Sequence, residues 1–87
     1  MGIKLKNVGI DGQLTRPGEY YHDLETGKFV FVEPGGEKIS IAVDVPDDSG
    51  CTWSMIDENL DSLTLDPSIY VNGLWHGRIQ NGELITV

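Results

Sequence analysis

Two side chains in NGLWHGRIQNGEL, residues 72–84, could together hold an anion. His76 offers a titratable ring donor and Arg78 a forked, permanently charged one, a pair suited to phosphate or carboxylate. On a strand, residues two apart point the same way, and these two lie about 7 Å apart along it. They are the only close His–Arg pair in a chain with fourteen acidic and six basic residues. As structural groups they would instead pair with Glu83 and neighbouring carboxylates on a sheet surface. Both readings stay open at this level. A second candidate clamp lies in DGQLTRPGEYY, where Arg16 precedes Tyr20 and Tyr21. A guanidinium beside two rings can hold and stack a flat anionic ligand, and the competing reading is a solvated surface arm.

Other chemistries find less support. The chain has two histidines, His22 and His76, and one cysteine, Cys51, with no zinc-type cysteine pair and no HExxH spacing. The acidic stretch VDVPDDSG, with Asp44, Asp47 and Asp48, lacks the mid-loop glycine and terminal glutamate of a calcium loop. No metal and no cofactor is expected. Cys51 reads as a small buried hydrophobe. Ser68 as a nucleophile with His76 fails on register, which points the two to opposite faces. EPGGEK could expose backbone N–H groups to a phosphate, but it lacks GxxxxGK[ST], no helix follows, and it reads as a hairpin loop. A catalytic role is not expected.

Elements of period two must position these groups. Ile3 and Leu5 alternate with Lys4 and Lys6, a short strand with one wet face. EYYH reads as a strand. KFVFV is apolar on both faces and should be central. In ISIAVDV, Ile39, Ile41, Val43 and Val45 share a face; in CTWSMI, Cys51, Trp53 and Met55 do. Only IDENLDSL has helical spacing, at Ile56, Leu60 and Leu63, and it is too short for more than one turn. Asn72-Gly73 and Asn81-Gly82 both read as two-residue type I′ turns. They would pair Val71 with Leu74, Tyr70 with Trp75 and Ile69 with His76, then Gln80 with Glu83, Ile79 with Leu84 and Arg78 with Ile85. The expected core face holds Tyr70, Trp75, Ile79 and Leu84, beside small Ser68, Gly77 and Thr86. The opposite face would carry His76 and Arg78 among Ile69, Val71, Leu74, Ile85 and Val87. A small monomer rarely leaves such a patch bare, so the N-terminal strands, a second subunit or a ligand should cover it.

Size and charge bound the remaining choices. Eighty-seven residues make one domain, 1–87. So short a chain buries only about 60% of the surface it exposes when unfolded, and a homo-oligomer would add burial. No apolar run approaches the roughly 20 residues that span a bilayer. The N-terminus shows neither a signal peptide's apolar region nor a myristoylation site, since Lys6 stands where Ser or Thr is required. With a lone thiol, this points to the cytoplasm. A net charge of −8 disfavours nucleic acid polymers and anionic membranes, and suits a solubilising surface or a basic protein partner.

The segment TWSMIDENLDSLTLDPSIYVNGLWHGRIQNGEL, residues 52–84, resembles the C-terminal half of a family of small bacterial and phage domains. The matching positions are Trp53, Thr64, Leu65, Pro67, Ser68, Ile69, Trp75, His76, Gly77, Ile79, Asn81 and Gly82; KFVFVEPGGEKISIAV aligns more loosely. Members with a Cys-rich turn and a Cys before the later His imply a zinc site. Here Glu33, Pro34, Gly35 and Gly36 occupy the turn and Trp75 precedes His76, so the metal does not carry over. Such domains occur on phage genomes and beside ubiquitin-like conjugation genes, which implies an accessory role.

The expected fold is all-β and mostly antiparallel, a small sandwich or rolled sheet with a C-terminal three-stranded meander. Its expected core is Phe29, Phe31, Ile39, Ile41, Val43, Trp53, Tyr70, Trp75, Ile79 and Leu84. The expected function is a non-catalytic binding module, phage-borne and anti-defence, that captures an anionic host small molecule such as a nucleotide signal. Ligand contacts are expected from His76, Arg78, Arg16, Tyr20 and Tyr21, at a face or subunit interface. The alternative is an acidic adaptor or inhibitor of a host protein, with His76 and Arg78 structural.

Overall fold

KFVFV shows how this short chain makes a core. Its aromatic residues point one way and its valines the other, and each set finds a cover. In the computed structural model, which describes residues 2–45, 52–57, 59, 62–66 and 68–87, KFVFV is β4 (Lys28–Val32). It lies inside a four-stranded sheet between β3 (Glu19–Asp23) and β5 (Lys38–Ala42), with β2 (Lys6–Asn7) beyond β3. A second sheet has the order β1 (Ile3–Lys4), β10 (Glu83–Thr86), β9 (Trp75–Gln80), β8 (Ile69–Val71), and β6 (Ser54–Asp57) pairs with β7 (Thr64–Asp66) in a ribbon. Pairing is antiparallel except for β2 with β3 and a bridge between Val43 and Trp53. The fold is all-β, and the two sheets face each other as a small sandwich.

Phe29 and Phe31, fully buried, meet Ile39, Ile41, Tyr20, Trp75, Ile79 and Leu84 between the sheets. The Phe31 and Trp75 rings touch edge to face at 5.7 Å. Val30 and Val32 form a separate cluster with Leu14 on the outer side, roofed by the segment that also carries Val8. Leu5 joins the sheets: its N–H donates to the Gly82 carbonyl, and the next N–H, of Lys6, donates to Gly18. The five-residue loop between β4 and β5 is the expected hairpin connection, held by buried Glu33, whose carboxylate accepts the Glu37 N–H at 3.0 Å.

The two Asn-Gly pairs behave differently. Asn81 and Gly82 have φ of 53° and 74°, so the second turn is type I′ and pairs Gln80 with Glu83 as expected. At the first turn Gly73 has φ of 77°, but Asn72 is not in the left-handed region. The Leu74 N–H donates to the Val71 carbonyl at 2.9 Å. Positive φ at only the second central residue is the mark of a type II turn, and the loop takes in Leu74. The register moves by one: Val71 pairs with Trp75, Tyr70 with His76 and Ile69 with Gly77. A one-residue slip exchanges the faces of a strand. Here it buries Ile69 and partly buries Val71, and it leaves Tyr70 64% exposed, which corrects the expected core position of Tyr70. The observed register dehydrates two aliphatic side chains and keeps the Tyr70 hydroxyl in water near Asn72.

Other departures are local. Val45 leaves the inner face because Asp44 takes φ of 60° and turns the chain at the end of β5. Trp53 is only partly buried against the core. Ile56 is exposed, since β6 runs through Asp57, and beyond it the Ser62 N–H donates to the Asn59 carbonyl. Leu63 and Leu65, by contrast, are core residues. Cys51, Asp47, Asp48, Leu60 and Pro67 lie outside the described residues. Among those described, no helix is long and apolar enough to cross a membrane.

Urea denaturation of three variants tests this packing. Ile79→Ala, at a site with no exposure, should lower stability by about 2–5 kcal/mol, whereas Tyr70→Ala should change it by no more than about 0.5 kcal/mol. A Cβ on Gly77 would overlap both the Trp75 ring and the Ile85 carbonyl, so Gly77→Ala should cost about 1–3 kcal/mol although its φ is not in the left-handed region.

Candidate functional site: the outer face of the C-terminal meander

Trp75, Gly77 and Ile79 point inward from β9, so His76, Arg78 and Gln80 point outward. The observed register places Tyr70 directly across from His76. Their rings meet edge to face, with centroids 5.1 Å apart and planes at 78°. Tyr70, His76 and Arg78 are all exposed. Tyr70 is therefore the residue that sequence reasoning missed, because the face it occupies depends on the turn type at Asn72-Gly73. The same slip brings Ser68 to the Arg78 side, which overturns the expectation that it points away.

Arg78 also borders a cleft of about 280 Å³ between β7 and β9, walled by Thr64, Asp66, Ser68 and Gln80. The Thr64 hydroxyl is already engaged: it donates to the Ser62 carbonyl at 2.9 Å and accepts the Asn81 N–H at 3.1 Å. Arg78, Ser68 and Gln80 remain as donors that line the cleft, and Asp66 is the carboxylate on its wall. An anion there would sit on the Arg78 side, away from Asp66. The expected structural partner, Glu83, shares this outer face and stands on β10 diagonally from Arg78. It stands opposite Gln80 and Lys4, and a Cβ on Gly2 would come within 2.8 Å of its Oε1.

The second clamp does not assemble. Tyr20 and Tyr21 are successive residues of β3 and point to opposite faces. Tyr20 is buried and stacks on Phe29 at 4.9 Å, and burial pushes its phenol above the usual range. This corrects its expected role as a surface clamp. Tyr21 packs with the Val30 cluster on the outer side of the other sheet, away from His76 and Arg78. Arg16 is exposed in the turn before β3. The Glu19 carboxylate organises that turn by accepting the Thr15 and Arg16 N–H groups at 2.8 and 2.9 Å. Among the described residues, no group of three or more His, Cys, Asp or Glu is placed to hold a metal ion.

Compared with protein-family models, with curated proteins and with solved structures, the chain shows no match. The site is therefore read from its own geometry.

The Glu19 turn has a testable pH signature. Its backbone hydrogen bonds from Thr15 and Arg16 hold the carboxyl below the ordinary glutamate range. A group depressed in the folded state stabilises above its unfolded pKa, and that contribution is lost as pH falls through the folded value. Glu19→Gln should therefore lower stability at about pH 7 and leave the difference from wild type smaller at about pH 3, measured by urea denaturation at both.

Proposed function

We propose that this chain is a non-catalytic binding module that captures an anionic small molecule carrying a flat ring, of the nucleotide kind, on the outer face of the meander. The observation that carries this reading is the exposed Tyr70–His76–Arg78 group in a protein of net charge −8. Tyr70 supplies a surface for ring stacking, His76 and Arg78 supply donors for the anion, and Arg78 reaches into the neighbouring cleft. The cleft, about 280 Å³, falls just below the usual range for a whole ligand pocket, roughly 300–1,000 Å³. It suits a phosphate and part of a sugar, with the base lying outside on Tyr70. The resemblance to small phage-borne domains points the same way, toward an accessory protein that withdraws a host signal. The exposed Leu74 and Val87 beside this group would serve equally as the rim of a ligand site or of a homo-oligomer contact.

Thermal denaturation with nucleoside mono- and diphosphates and cyclic dinucleotides tests the reading. A saturating ligand at about a hundred times its Kd adds about 2.7 kcal/mol, or roughly 10 °C or more for a domain of this size. Arg78→Ala should abolish that shift while its own unliganded Tm stays within about 3 °C of wild type. Adenosine or inorganic phosphate alone should give a much smaller shift. If no nucleotide moves the transition and a pull-down recovers one basic protein, the acidic-adaptor reading replaces this one.

A further inference from the structure

Asn72-Gly73 and Asn81-Gly82 share a chemistry beyond their use in turns. The backbone nitrogen of the glycine can attack Cγ of the asparagine before it, because no Cβ on the glycine crowds the approach. The nitrogen gives its proton to water, a five-membered succinimide closes, the Cγ–Nδ2 bond breaks and ammonia leaves. Water then adds to one of the two ring carbonyls and the bond from that carbon to nitrogen breaks. Opening at the side-chain carbonyl gives aspartate. Opening at the main-chain carbonyl gives isoaspartate. The step needs a glycine N–H that is open to solvent and a turn that can reorient its central peptide.

By sequence the two pairs are equal, and the fold separates them. Gly82 is buried, and its N–H donates to the Leu63 carbonyl at 2.9 Å. Its own carbonyl accepts the Leu5 N–H at 2.9 Å, and the Asn81 N–H donates to the Thr64 hydroxyl at 3.1 Å. The nucleophile is occupied there and the turn is clamped on both sides. Gly73 is exposed, and among the described residues no acceptor takes its N–H. A Cβ added to it would meet no atom within 4 Å, so the peptide can turn without striking a neighbour. We infer that Asn72 is a site of self-modification, converted by the Gly73 nitrogen and water to aspartate and isoaspartate, while the fold holds Asn81 intact. The new carboxylate stands beside the Tyr70 hydroxyl, which donates to Asn72 Oδ1 at 3.3 Å. Isoaspartate also lengthens the main chain in the turn that sets Tyr70 opposite His76. The inference does not depend on what the outer face binds.

Trypsin separates the two pairs for measurement, since cleavage after Lys38 and Arg78 leaves Asn72 in residues 39–78 and Asn81 in residues 79–87. The full chain is aged at mildly alkaline pH, once native and once in guanidinium chloride, and then digested. Mass spectrometry follows the amide-to-acid mass gain in each peptide, and fragmentation assigns it to a residue. In guanidinium chloride the two asparagines should convert at similar rates. In the native protein Asn72 should convert at least about tenfold faster than Asn81, because Asn81-Gly82 must first open its hydrogen bonds. Equal native rates, faster native conversion at Asn81, or a gain placed at another residue of 39–78 would overturn the inference. A tenfold difference that persists in guanidinium chloride would overturn it too, because the fold would then not be its cause.

Discussion

The fit of one indole over one glycine organises the C-terminal half. Trp75 crosses the flat of Gly77, meets Phe31 edge to face, and donates its Nε1–H to the Thr86 hydroxyl at 3.0 Å. A tryptophan is seldom buried unless its N–H finds a partner, and Thr86 lies in the adjacent strand at the rung opposite Gly77. Once the ring occupies that place, β9 can present only its odd-numbered residues to the core. His76 and Arg78 then face outward together, as period two requires. Neither needs a special conformation to reach the surface.

The N-terminal half meets a different constraint. A chain of this length has little interior, and β4 is apolar on both sides. One side closes against the opposite sheet. The other closes beneath Leu14 and Val8, which lie in a segment without regular structure. That roof accounts for the fate of Tyr21: it packs beside Val30 and so belongs to a structural cluster. Tyr20, one residue earlier, is drawn between the sheets by the same alternation. A sequence reader who sees two adjacent tyrosines near an arginine sees a clamp, but a strand cannot point neighbours to one side.

Much of the fold was legible because period two and turn chemistry act locally. The Asn81-Gly82 hairpin, the two-faced KFVFV strand and the inward Ile39–Ile41–Val43 run all follow from residues within a few positions of one another. The first Asn-Gly turn was not legible. Its sequence allows a two-residue or a three-residue loop, and the choice is decided by the gain from burying Ile69 and Val71 in place of Tyr70, a tertiary matter. That single ambiguity reached into the candidate site, because Tyr70 and Ser68 both changed face. His76 and Arg78 kept theirs, since their register to β10 depends only on the second turn. The turn at Asp44 was missed for another reason: in ISIAVDV its alternation reads as an outward residue of a continuing strand, whereas β5 ends at Ala42 and Asp44 takes a positive φ.

Net charge and local charge act on different lengths. At physiological ionic strength the field of a charge decays over about 8 Å, so fourteen carboxylates spread through the chain weigh most on long partners that touch many of them at once. A nucleic acid polymer would meet the acidic surface repeatedly. A single small anion on the outer face of the meander would meet Lys4, His76 and Arg78, with Glu83 opposite Lys4 and Asp66 on the cleft wall as the carboxylates nearest to it. The sign of such a face is set by the few side chains within a Debye length of it and not by the total charge of the chain.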